Sequence, residues 1–339
     1  MKQLFIFWVG MAAAAAAAER PLVIGHRGAS GYLPEHTMAA KVYAHAQGAD
    51  YLEQDVVLSK DGVPVVLHDI YLDTVTDVGK KFAGRARADG RYYALDFTVA
   101  EIKQLGVRER VAVESGEPVY GGRYASREFP SAFSLLTLEE ELQLIQGLNR
   151  STGRAVGVYV EIKQPKWHRE QGVDLSRAVL PLLERYGYAG KQDRCFLQCF
   201  ELTEVRRLRG ELGWKGRLVL LLGGRGREAD GTDAEELGRA EGLKMLAGLV
   251  DGIGPPLAGV VHWPAEGGAA QLTGLAARAH AAGLAVHPWS VRIDDLPKGC
   301  PSVEALHAAL LGAAGVEGVF TDFPDAARQW IDRWAAAGR

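Results

Sequence analysis

Residues 51–58 read Tyr51-Leu52-Glu53-Gln54-Asp55-Val56-Val57-Leu58. A short run of apolar, β-branched and aromatic residues marks a strand buried on both faces, as in a parallel sheet. Side chains alternate across a strand, so Glu53 and Asp55 point to the same face. Two carboxylates side by side between the apolar Leu52 and Val56 repel each other and lose hydration. A bound cation is the simplest remedy. The competing reading, two solvated carboxylates on an edge strand, fits the apolar flanks less well.

Outward from this strand the same grammar repeats. Short apolar runs at 22–26, 157–163, 195–200, 217–222, 250–254, 285–289 and 318–321 read as further strands. Helical patterns at 36–47, 138–148, 175–186, 202–212, 234–246, 272–282 and 303–313 lie between them, and Gly48, Gly213, Gly283 and Gly315 stand where left-handed helix caps are wanted. Eight strand–helix units are the count of a (β/α)8, or TIM, barrel. A doubly wound sheet also alternates strand and helix, so the count alone does not separate the two. One connection breaks the rhythm: the segment from about 70 to 136 is far longer than an ordinary loop and holds a helix-like piece at 98–105. It reads as a subdomain inserted after the second strand. Its tyrosines and phenylalanines argue against a disordered loop.

In a parallel barrel, residues at the C-terminal strand ends converge on one mouth. Val160-Glu161-Ile162-Lys163 puts Glu161 and Lys163 on one face, and Glu161 joins Glu53 and Asp55 in a cluster of three carboxylates. Hard oxygen donors suit Ca²⁺, Mg²⁺ or Mn²⁺ better than Zn²⁺. His26 ends the first strand, and His68 follows the apolar run Pro64-Val65-Val66-Leu67. Imidazoles titrate near working pH and serve as acid or base. Arg27 and Lys163 are cations suited to phosphate oxygens, or simply to neutralising the carboxylates.

Taken together, His26-Arg27-Gly28, Pro34-Glu35-His36-Thr37, Glu53-Gln54-Asp55, His68-Asp69 and Glu161-Ile162-Lys163 resemble the motif series of glycerophosphodiester phosphodiesterases. The resemblance runs from about residue 21 to 330. It takes in Asp251-Gly252-Ile253-Gly254-Pro255 and Thr321-Asp322-Phe323-Pro324, which look most like the periplasmic bacterial branch. It implies a TIM barrel with an insertion after the second strand. It also implies a divalent metal on Glu53, Asp55 and Glu161, Ca²⁺ in that branch with Mg²⁺ as the alternative. Acid–base roles fall to His26 and His68. The implied reaction converts a small glycerophosphodiester to glycerol 3-phosphate and an alcohol, either through a cyclic phosphate formed by the glycerol 2-hydroxyl or by direct attack of water. His36 stands where the wider family often has Asn. Trp289 fits an aromatic at the site mouth or packing within the barrel. Glu35 orients His26 or Arg27, or caps the helix start. Two rival readings are a phospholipase acting on intact lipids and a binding protein without turnover.

The rest of the chain bounds these readings. Its 339 residues carry 39 basic and 42 acidic side chains, a formal charge of −3 that argues against a nucleic-acid partner. Lys2, an apolar run, seven alanines and an Ala16-x-Ala18 site describe a secretory signal peptide over 1–18, with an uncleaved anchor as the alternative. The mature barrel then begins at 19, lies in the periplasm or medium, and keeps no membrane anchor. Oligomeric state is not legible. Cys195 and Cys199 share a strand face about 13 Å apart, beyond the roughly 7 Å a disulfide spans, and read as buried thiols with Cys300. Among the remaining histidines, those at 45 and 280 read as surface or packing residues, and His287 is the one worth testing.

Overall fold

Eight of the apolar runs become parallel strands around a common axis, because only mutual pairing satisfies their backbone polar groups away from water. The computed structural model describes residues 20–124, 131–224 and 226–338; the leader read at 1–18 lies outside them. In chain order the strands are β1 (Leu22–Gly25), β2 (Tyr51–Leu58), β3 (Pro64–Val66), β4 (Gly157–Ile162), β5 (Cys195–Cys199), β6 (Arg217–Leu221), β7 (Gly252–Gly254), β8 (Val261–His262), β9 (Gln271–Leu272), β10 (Ala285–Val286) and β11 (Gly318–Thr321). The main sheet runs β10-β7-β6-β5-β4-β2-β1-β11. The seam is closed beyond β10, where Phe320 N–H donates to Pro288 O at 3.0 Å and Val291 N–H donates to Phe320 O at 2.8 Å. The result is a nearly closed TIM barrel.

Strand parity sets the interior. Ile24, Tyr51, Tyr159, Phe196, Val219 and Phe320 point inward and fill the lower barrel. Two positions further along the same strands, the inward residues become His26, Glu53, Glu161, Gln198 and Asp322, all buried. The floor is apolar and the mouth ionisable, and this ordering builds the site. On the outer faces Val23, Leu52, Val158, Leu197 and Leu218 meet the helices. A fully buried Lys41–Glu141 pair, 3.0 Å apart, stands behind β2, with Lys41 also donating to the Glu53 carbonyl.

Several expected elements shift. The helix at 36–47 begins at Met38, because Thr37 caps it by accepting from Ala40 N–H while His36 turns into the left-handed region at φ 57°. The pattern at 234–246 splits into Ala234–Leu237 and Ala240–Ala247 at Gly238. Leu272 belongs to the β8–β9 hairpin instead of a helix, and the helix Leu275–Ala281 starts only after Gly274 turns to φ 80°. The runs at 250–254 and 285–289 pair as strands only over β7 and β10. The four expected cap glycines, Gly48, Gly213, Gly283 and Gly315, all have positive φ.

The run before His68 is a strand the sequence reading did not assign. β3 pairs antiparallel with β2, Val57 opposite Val65. The chain that follows gathers Ile70, Leu72, Phe97, Leu105, Val107 and Leu135 into a cluster of their own against Val57 and Val65. Its short helix Val99–Ile102 carries a Thr98–Glu101 capping box.

Candidate active site

At the C-terminal mouth lies a cavity of about 150 Å³ lined by His26, Arg27, Glu53, Asp55, His68, Glu161, Lys163 and Trp289, among others. Carboxylate oxygens of Glu53, Asp55 and Glu161 all lie within 4.8 Å of one another. Burial, with the charges of Asp55 and Glu161, raises Glu53 well above the usual carboxylate range. Burial pushes Glu161 up to about 8, even though its neighbour Lys163 pulls the other way from 2.7 Å. Burial also disfavours charge on Asp55, but Lys163, His68 and His36 outweigh it and hold that group low. Asp55 Oδ1 is buried without a hydrogen-bond partner, its Lys163 neighbour 3.6 Å away. Three crowded carboxylate oxygens, one without a hydrogen-bond partner and two on groups that burial holds back from ionising, are the donor set a divalent cation completes, and these residues fit one.

Each histidine of the mouth leans on a carboxylate. His26 Nδ1 is 2.6 Å from Asp322 Oδ1, and His68 Nδ1 is 2.6 Å from Asp69 Oδ1. Both aspartates are held well below the ordinary carboxylate range. Burial works against this, and the partner histidines together with Arg292 and Arg123 at Asp322, or Arg110 at Asp69, overcome it. An ionised carboxylate only accepts, so each ring carries its proton on Nδ1 and leaves Nε2 free as an acceptor. Burial lowers His26 below its ordinary value despite Asp322, and burial with Arg27 and Lys163 lowers His68 to about 4. Both rings are therefore neutral at neutral pH. His26 Nε2 looks toward the carboxylate cluster, 3.8 Å from Glu53 Oε2 and 3.4 Å from Ser290 Oγ.

The remaining residues read from the sequence take definite places. Arg27 N–H donates to Glu53 Oε2 at 2.8 Å, its backbone turned to φ 58°, and its guanidinium reaches Glu35 at 2.9 Å. Glu35 is gripped by Arg110 as well, at 2.6 and 2.9 Å, so it orients arginines; it makes no bond to His26 and leaves the helix cap to Thr37. Trp289 lines the cavity, its indole N–H donating to Gly254 O at 2.8 Å. His287 sits below the cavity among core aromatics, 3.0 Å from the Tyr159 hydroxyl. Cys195 and Cys199 are buried and free, as expected, whereas Cys300 is free but only partly buried.

Sequence reasoning missed several partners. Asp69 and Asp322 stand inside quoted motifs, directly after a histidine and directly after a strand, and that position was the available signal. His36 Nε2 lies 2.8 Å from Asp55, and Gln198 donates to Glu53 at 3.2 Å. Gln198 was findable as the one polar residue at inward parity in Cys195–Cys199. Arg110, Arg123 and Arg292 gave no local signal.

Comparison with known proteins bears on the family and the fold. The Glycerophosphoryl diester phosphodiesterase family matches residues 26–326. A glycerophosphodiester phosphodiesterase of Haemophilus influenzae is 38% identical over 331 residues, covering 91% of this chain and 89% of that one. A crystal structure from Silicibacter pomeroyi, assigned as a glycerophosphoryl diester phosphodiesterase, superposes with a TM-score of 0.64 at 25% identity over 93% of this chain and 94% of that one. An Oleispira antarctica phosphodiesterase, solved in complex with the product sn-glycerol-3-phosphate, shares the fold with a TM-score of 0.58 at 22% identity, over 92% of this chain and 97% of that one.

Proposed function

The chain belongs to the Glycerophosphoryl diester phosphodiesterase family and is an enzyme of that activity; on that premise we propose that it hydrolyses small glycerophosphodiesters, such as glycerophosphocholine and glycerophosphoethanolamine, to sn-glycerol 3-phosphate and an alcohol by two-histidine acid–base catalysis. The observation that carries this reading is the pair of imidazoles, each with Nδ1 tied to an ionised aspartate and Nε2 left for proton transfer, in one cavity with three carboxylates and the cations Arg27, Lys163 and Arg292. A pure binding site has no use for two oriented proton carriers.

Glu53, Asp55 and Glu161 hold a divalent metal in this reading, Ca²⁺ ahead of Mg²⁺, and when bound it supplies positive charge to the phosphate oxygens. Arg27 and Lys163 add fixed positive charge there. One histidine takes the proton of the attacking hydroxyl at its Nε2. The other, its pKa lifted by the adjacent phosphodiester anion, gives a proton to the departing alkoxide as the P–O bond breaks. With the glycerol 2-hydroxyl as nucleophile the first product is a cyclic phosphate, which water opens with the two roles exchanged. The product held by the Oleispira antarctica neighbour supports glycerol 3-phosphate as the released acid. The leader-like composition of residues 1–18 supports a location in the periplasm or medium.

The test is release of glycerol 3-phosphate from glycerophosphocholine before and after chelation, with Ca²⁺ or Mg²⁺ restored separately. Activity that stops on chelation and returns with one metal is the expected result. A folded enzyme that makes no product with any divalent metal overturns the substrate assignment. Full turnover of the 2-deoxy analogue rules out the cyclic route.

A further inference from the structure

Each histidine–aspartate pair is bound by an arginine from the segment after β3, Arg110 at Asp69 and Arg123, beside Arg292, at Asp322. Arg110 and Arg123 lie close together in that segment. Val111 N–H donates to Thr74 O at 3.0 Å, Ala112 N–H to Glu117 O at 2.8 Å, and Val119 N–H to Arg110 O at 2.9 Å. Residues 110–119 thus form a hairpin with Arg110 on its outgoing arm, and Arg123 follows the returning arm.

Arg110 uses its whole fork. Nε and Nη2 bind Glu35 at 2.9 and 2.6 Å, and Nη1 binds Asp69 Oδ2 at 2.5 Å. The other oxygen of Asp69 holds His68, and Glu35 holds Arg27. Arg123 extends the design to the far dyad: its Nη2 lies 2.8 Å from Asp322 Oδ2, an oxygen it shares with Arg292 Nε at 2.9 Å, and its Nε and Nη2 also bind Asp294 at 2.8 and 3.0 Å. The other oxygen of Asp322 holds His26. The Arg123 side chain is only 3% exposed, and the Tyr120 ring lies 4.0 Å from its guanidinium.

A single hydrogen bond donated to an aspartate leaves an imidazole free to tilt. Binding the second carboxylate oxygen with a rigid guanidinium removes that freedom, and arginine is the side chain whose planar fork bridges two carboxylates at once. Burying two arginines is costly unless every charge is paired. Here the pairing leads each time to a histidine of the mouth.

We propose that Arg110 and Arg123 are positioning residues, and that the hairpin carrying them sets the orientation and tautomer of His68 and His26 through Asp69 and Asp322. This rests on the reading that His26 and His68 are the acid–base pair. In Arg110→Met the His68 ring loses its fixed tautomer and His26 keeps its own; in Arg123→Met the pattern is reversed. In each, kcat falls by about tenfold or more with KM within about twofold, since misplacement by about 1 Å costs up to about a hundredfold. Arg110→Lys and Arg123→Lys keep the charge but reach one carboxylate, and recover only part of the rate.

The experiment records imidazole ¹⁵N spectra of the full mature chain without substrate, then kinetics on glycerophosphocholine. Arg87→Met, which breaks a pair with Asp96 in the same segment, serves as the control and keeps normal rate and spectra. Selective change at the matched histidine with a loss in kcat supports the proposal. Unchanged spectra or kcat in folded variants, a rise in KM alone, or equal disturbance of both rings overturns it. If a Met variant does not fold, its Lys counterpart decides by the same readouts. An unmodified enzyme without turnover refutes the functional reading, while the substrate-free spectra still judge the positioning.

Discussion

At the residue scale the site is a problem of charge. Glu53 and Glu161 resist ionisation together, and Asp55 keeps an unpartnered oxygen. Glu53→Gln removes one anionic donor, so the variant is expected to need far more metal for half-maximal activity and to regain much of its rate in excess. A rate indifferent to metal over a wide range counts against a ligand role. His26→Ala and His68→Ala are each expected to lower kcat roughly a hundred- to ten-thousand-fold, the usual worth of a placed proton carrier. Near-normal rates in either folded variant remove that residue from the mechanism. Most of these residues were legible because their signal is local: carboxylates at strand parity, or a histidine closing an apolar run.

At the element scale, β1, β2, β4 and β11 lead from apolar floor to ionisable mouth within two residues, and that order is written along the chain. The turn between β1 and the first helix is just as demanding. Gly28 has φ 91°, and a Cβ there would meet the Ala40 carbonyl carbon at 2.8 Å and its oxygen at 2.9 Å. Neither atom can yield without moving the helix. Gly28→Ala is therefore expected to cost about 1–3 kcal/mol and to displace His26 and Arg27, lowering both the urea midpoint and the activity. An unchanged midpoint would show that the turn relaxes at no cost. Helix limits were less legible: caps such as Thr37 and breaks such as Gly238 compete with periodicity over one or two residues, and packing decides between them.

At the scale of the whole molecule, buried histidines away from the mouth tie stability to pH. Burial lowers His168, His287 and His307 from 6.5 to about 4. The folded state keeps them neutral, so the unfolded chain binds protons first as pH drops below 6.5. Their contribution is full above pH 6.5 and is lost progressively as pH falls toward 4. Each ring steepens that loss by up to about 1.4 kcal/mol per pH unit. The difference in urea midpoint between the parent and His307→Leu is expected to be level above pH 7 and to shift through this window, as the parent loses stability that the variant does not. An identical slope in that variant would remove His307 from the account.

By itself the sequence determined the strand–helix alternation, the three carboxylates, both histidines and the family resemblance that implies the barrel, because strand periodicity and the residues flanking it are local properties. Only the tertiary structure decided what holds the histidines. Arg110 meets Asp69 across 41 positions and Glu35 across 75, and Arg123 meets Asp294 across 171. An arginine in a polar segment looks the same in sequence whether it faces water or a buried carboxylate. The fold brings the carboxylate, and its desolvation makes the pairing matter.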